Sequence, residues 1–130
     1  MADLLALSSR VIDSGIVDEP VNRITNELSE LAEGLAIVES FSHSVVLDAG
    51  EGLVAFDASH ARTGGDVVAA IRGWTATPVS HLVYTHGHAD HVGGSTAFAA
   101  EYGDMAVVGH RNVDTRFDRY AYTNNWNVLV

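Results

Sequence analysis

Residues 81–94, HLVYTHGHADHVGG, bring His81, His86, His88, Asp90 and His91 into eleven positions, four of them within six residues. The order is His-x-His-x-Asp-His. In an extended segment side chains two apart point to the same side, so His86 and His88 can grip one metal ion. Asp90 and His91 follow where the chain turns toward the next helix, and they can reach a second ion beside the first. Neutral imidazole and carboxylate suit Zn²⁺, with Fe or Mn as alternatives. Two such ions about 3.5–4 Å apart can hold a bridging hydroxide and polarise an ester. Gly87 allows the tight bend, while Gly93 and Gly94 allow close backbone approach. An isolated His-x-His is common at a polar strand end and often means no more than that. The four-ligand order, set between an apolar strand and Gly-Gly, is far more demanding and points to metal binding.

The elements that must position these groups can be read from the pattern. Residues 3–12 suit a short helix with Leu4, Leu7 and Val11 on one side, and Asp13–Pro20 a loop. LAIVESF (35–41) reads as a strand. HSVVLDAGEGLVAFDAS (43–59) reads as a hairpin turning through residues 48–52. TGGDVVAAIRGW (63–74) has Val67, Ile71 and Trp74 at helical spacing, and VSHLVYT (79–85) is a strand ending at the histidines. A helix is expected over about Ser95–Tyr102 and a strand in MAVVG (105–109), with a helix or ordered loop after it. Two strand–helix–strand units thus follow an antiparallel hairpin, which predicts an α/β layered fold. The division expected is a helix-and-loop segment, 1–34, followed by the domain proper, 35–130.

Composition narrows the classes. The chain has 130 residues, 47% of them hydrophobic, enough for one small core. The net charge of −10 is concentrated in residues 1–60, which hold eleven acids against two arginines. With no basic cluster, binding to a phosphate backbone is not expected. No apolar run is long enough to span a bilayer. Asp3 interrupts the leucines of the first ten residues and no basic n-region precedes them, so a cytoplasmic compartment is expected. Cysteine is absent, which removes thiolate ligands and disulfides. All seven basic residues are arginine, which fits a coding bias better than a function.

THGHADH resembles the signature of the metallo-β-lactamase superfamily, whose fold is an αββα sandwich of two sheets between outer helices. The resemblance implies that His86 and His88 bind the first metal and that Asp90 and His91 bind the second. Asp90 is thereby the candidate catalytic carboxylate as well. GLVAFDAS resembles the superfamily strand that ends in Asp, implying that Asp57 buttresses the metal loop through hydrogen bonds. Within the superfamily, YTHGHADHVGG and VVGHRNVDTRFDRYAYTNNWN are most similar to the alkyl-sulfatase-type hydrolases. The implied activity is zinc-dependent cleavage of a small-molecule sulfate or other ester, with two zinc ions in the complete site. Lactonase, thioesterase or β-lactamase chemistry is the alternative, as is a non-catalytic metal-binding unit that needs a partner.

The family pattern also requires a third histidine on the first metal, a bridging acid and a final histidine on the second. After His91 this chain offers only His110, at a strand end, where a place at the mouth of the site is preferred to a ligand role. The chain therefore reads as the first half of the αββα sandwich, to be completed by self-association or by a C-terminal half, and as inactive alone. His60, just after FDAS, is a candidate pocket residue with His110; His43 and His81 read as structural. The arginines of RNVDTRFDRY could bind an anionic sulfate group, although a solvated helix face explains them equally well. Asn124, Asn125 and Trp126 resemble part of the sulfatase-like segment without an assignable role.

Overall fold

The computed structural model describes residues 3–18, 20 and 22–123. Its elements run α1 (Leu4–Ser14), β1 (Glu27–Ala32), β2 (Leu35–Glu39), β3 (Ser44–Asp48), β4 (Leu53–Phe56), α2 (Gly64–Trp74), β5 (Val79–Val83), α3 (Ala89–Val92), α4 (Ser95–Tyr102), β6 (Ala106–Val108) and α5 (Val113–Thr123). The six strands form one sheet in chain order. β1 to β4 are antiparallel neighbours, whereas β5 joins β4 and β6 joins β5 in parallel. The α/β expectation is met, with the helix-bearing crossovers that parallel pairing requires.

Period-two alternation divides the sheet into two faces. Val38, Val46, Leu53, Ala55 and Leu82 point to one side and pack with Val67, Val68 and Ile71 of α2 and Phe98 of α4, and Ala36 is buried. Burying a side chain such as Leu82 or Phe98 contributes about 1.5–3 kcal/mol. The opposite face carries Ile37, Val45, Leu47, Val54, Phe56 and Val83, all half-buried or exposed. Among the described residues only α1 rests on that side, around Leu31, Ile37 and Glu39. Asp3 caps α1, accepting the Ala6 N–H at 2.9 Å, and Gly15 closes it with φ 66°.

Strand β1 lies inside the segment 1–34 that the sequence reading left as helix and loop. ELSELA carries two glutamates and little β-branching, so its intrinsic strand preference is weak. The ladder to β2 and the packing of Leu28 against the core override that preference. Upstream of it, Arg23 grips the buried Glu39 with two bonds, at 2.9 and 2.6 Å, fixing the approach to the sheet. The expected LAIVESF strand ends at Glu39, and α5 is a helix rather than an ordered loop. Asn124, Asn125 and Trp126 lie outside the described residues. Among those described, no helix is long and apolar enough to cross a membrane.

Tyr102 ends α4 with its hydroxyl buried and unpartnered among the described residues. Desolvation, then the nearby Glu101 charge, pushes its pKa up to about 12. The unfolded tyrosine ionises near 10, so above that pH the folded state keeps a proton that the unfolded chain has lost. Stability should therefore fall as pH rises from 10 toward 12. Tyr102→Phe is expected to flatten this alkaline decline and to leave neutral-pH stability equal or about 1 kcal/mol higher. Urea denaturation from pH 7 to 11 tests it, and a loss of stability at neutral pH would show that the hydroxyl has a stabilising partner.

Candidate metal centre

Parallel pairing places chemistry at the carboxyl ends of β4, β5 and β6. Phe56 is level with Val83, and Val83 with Val108, so Asp57, the Thr85–His88 turn and His110 emerge side by side. Asp57 leaves β4 with φ 62° and Ser59 follows with φ 61°. This left-handed backbone is uncommon outside glycine, and Asp tolerates it better than most residues. It directs a carboxylate that is 4% exposed beneath the histidine turn.

That carboxylate organises its neighbours. Thr85 gives its amide N–H to Asp57 Oδ1 at 2.8 Å and its hydroxyl to Oδ2 at 2.6 Å. With its one proton committed, the Thr85 hydroxyl can only accept from His86, whose Nδ1 lies 3.0 Å away. His86 is thereby assigned a proton on Nδ1 and a lone pair on Nε2. His91 Nδ1 stands 2.7 Å from Asp57 Oδ2, and its Nε2 is 3.6 Å from Asp90 Oδ2. A proton on Nδ1 leaves that second lone pair free too. Both assignments suit a metal, which needs unprotonated nitrogen.

The ring nitrogens converge. His86 Nε2 lies 2.9 Å from His88 Nδ1, and the His86 and His91 ring centroids are 4.0 Å apart. Asp57, His86 and His91 each bring one possible ligand atom within 4.8 Å of the others. His88 is pushed below the ordinary imidazole pKa, first by desolvation, then by the charges of Arg116 and His86. His91 adds slightly, while Asp90 pulls the other way. The neutral ring, the form that binds metal, is favoured to lower pH as a result. A donor set of imidazole nitrogens and carboxylates, with its tautomers already aligned, fits a divalent ion such as zinc.

Packing holds the turn in place. A side chain on Gly94 would run into the Ala58 carbonyl and Gly64, and Gly94 donates its N–H to Ser59 at 3.0 Å. Ala58 in turn donates to the His91 carbonyl at 2.7 Å. Ser42 places its hydroxyl 3.0 and 3.2 Å from the two His91 nitrogens. Behind it Ser59 bonds Ser40 and Thr63, both at 2.9 Å. Sequence reading missed Ser42 and Thr85, since a hydroxyl beside a strand is ordinary. Only the proximity of Thr85 to the motif hinted at its role.

The two candidate pocket histidines part company. His110 shares a cavity of about 400 Å³ with His86, His88 and Arg116. His60 lines a separate one with Phe41, Arg62 and Thr63. There it packs edge-on against Phe41, with centroids 5.6 Å apart.

The sequence model of the metallo-beta-lactamase superfamily matches residues 37–129, and the chain belongs to that superfamily. Among curated proteins none matches it. Of solved structures, a B3 metallo-beta-lactamase with an active-site glutamic acid shares 22% identity at TM-score 0.62, covering 74% of this chain and 41% of its own. A metallo-beta-lactamase of Cronobacter sakazakii with a HARLDQ motif shares 17% at TM-score 0.57, covering 66% and 32%. A stereoselective inverting sec-alkylsulfatase from Pseudomonas sp. shares 24% at TM-score 0.53, covering 62% and 14%. These likenesses establish the fold, and the chain spans less than half the length of each protein.

Asp57→Asn replaces one carboxylate oxygen with an NH2 that cannot accept, so the bonds from the Thr85 amide, the Thr85 hydroxyl and His91 cannot all be kept. It is expected to weaken zinc affinity by about 10–100-fold, with the far-UV circular dichroism unchanged. Competition with a chromophoric chelator measures it. Unchanged affinity would mean that Asp57 plays no part in orienting the histidines.

Proposed function

We propose that this chain carries the first half of a zinc hydrolase centre, in which His86 and His88 hold one ion and Asp90 and His91 a second. Asp57 orients the ring nitrogens from behind rather than binding metal, because its oxygens already accept from Thr85 and His91. The observation that carries the reading is this alignment, which turns the Nε2 lone pair of His86 toward His88 Nδ1 at 2.9 Å and that of His91 toward Asp90, 3.6 Å away. Zinc bound there would supply Lewis acidity and lower the pKa of a water molecule. The chain's own share is to favour the neutral ring of His88, fix the rings and set the Asp90 carboxylate at the reacting side.

The substrate class is a small ester. Sulfate esters lead, supported by the similarity of residues 84–94 and 107–127 to alkyl-sulfatase-type hydrolases and by the fold shared with a sec-alkylsulfatase. Two ligands per ion fall short of the three protein ligands common at catalytic zinc. The remaining ligands come from outside the described residues, either from a second copy or from further chain.

Elemental analysis after dialysis against zinc tests the reading, with His88→Ala as the control. About one zinc or more per chain, lost in the control, is the expected result. Zinc no higher than in the control would sink the claim that these residues form a preorganised half-site.

A further inference from the structure

The cavity beside His86 and His88 has a second wall that the metal cluster does not use. Helix α5 forms it and sits directly on the histidine turn. A Cβ on Gly87 would meet Arg116 Cβ and Cγ at 3.0 and 3.1 Å. One turn on, the Tyr120 hydroxyl takes the Ala89 N–H at 3.2 Å, and the Tyr120 ring lies 5.4 Å from the Arg116 guanidinium carbon. Arg116 is thus held by its neighbours on both sides while it lines the cavity.

Its Nε is buried and finds no acceptor among the described residues. A buried guanidinium N–H without an acceptor is costly, and stacking on Tyr120 does not satisfy it. The ion pairs among the described residues engage Arg23, Arg72 and His91, and none reaches Arg116. In a chain of net charge −10, an arginine with no carboxylate ion pair among the described residues, lining a cavity with His86, His88 and His110, is placed to meet an anion from outside. The planar fork of N–H donors matches two oxygens of a carboxylate or sulfate. Val113, 8% exposed on the same wall, offers an apolar surface next to it.

We propose that Arg116 is the anion-binding group of this cavity and receives a carboxylate or sulfate oxyanion of the ligand beside His86 and His88. That the ligand is a substrate rests on the hydrolase reading; that the anion binds does not, because Arg116, Gly87 and Val113 need no metal to form this wall. Arg116 is a binding and specificity residue.

The test titrates the chain with methyl sulfate and, separately, with acetate, at ionic strength held constant with chloride. Both titrations are run zinc-free and zinc-saturated, and backbone amide shifts give the affinity. The expected result is saturable shifts at Gly87, Asn112 and Val113 in the zinc-free chain, with Arg116→Gln weakening binding by about tenfold or more. Arg111→Gln, which removes an equal charge from an exposed position over the adjacent cavity, should bind like the wild type. Tighter methyl sulfate points to sulfate esters, and tighter acetate to carboxylate-bearing ligands. Equal weakening by both variants would reduce the effect to diffuse charge and overturn the proposal, as would the absence of those shifts in wild type. Should Arg116→Gln not fold, Arg116→Lys keeps the charge without the fork, and the wild-type shift map still decides. A chain that binds the anion but takes up no zinc would end the hydrolase reading and leave this one standing.

Discussion

One carboxylate, that of Asp57, connects the architecture to the chemistry. It accepts from Thr85 through both oxygens and from His91 through one, joining the end of β4 to residues on either side of the histidine turn. The constraint behind it is parallel pairing, because only a parallel neighbour brings the carboxyl ends of two strands to the same edge. The left-handed backbone at Asp57 then turns the side chain under the loop instead of along the strand. A different register between β4 and β5 would leave the same motif on the surface without its support.

The centre has two unlike sides. On one, a row of hydroxyls from the buried Ser40, Ser42 and Ser59 and the half-buried Thr63 backs His91. On the other, a cavity lined by His86, His88 and His110 lies between the turn and Arg116 of α5. The first side holds the His91 ring in place and the second leaves open space beside His86 and His88. His60 falls outside both because the turn at Ser59 carries it toward Phe41.

How much of this was legible in the sequence depended on whether the signal was contiguous. His86, His88, Asp90 and His91 stand within six residues, so their grouping needed no tertiary information. The strands around them alternate or run apolar, and they were found to within a few residues. β1 was not, because glutamates mask a strand that only its pairing with β2 stabilises. Ser42 reaches His91 across a sequence separation of 49, and nothing local marks a serine for that. Arg116 was visible only as one of several arginines in a helical stretch. Its difference from Arg111 and Arg119 lies in the glycine opposite it, a contact that exists only after folding.

The sheet face bearing Ile37, Val45, Leu47, Val54, Phe56 and Val83 is covered among the described residues only near α1. Leu47 alone is 40% exposed. Much of this apolar surface is hydrated while the chain is still folded, so unfolding wets less new hydrocarbon than the chain length suggests. The heat-capacity increment of unfolding then falls below the usual ~12–15 cal/mol/K per residue. A smaller increment broadens the curve of stability against temperature. Covering that face would steepen the curve as it raises the melting point.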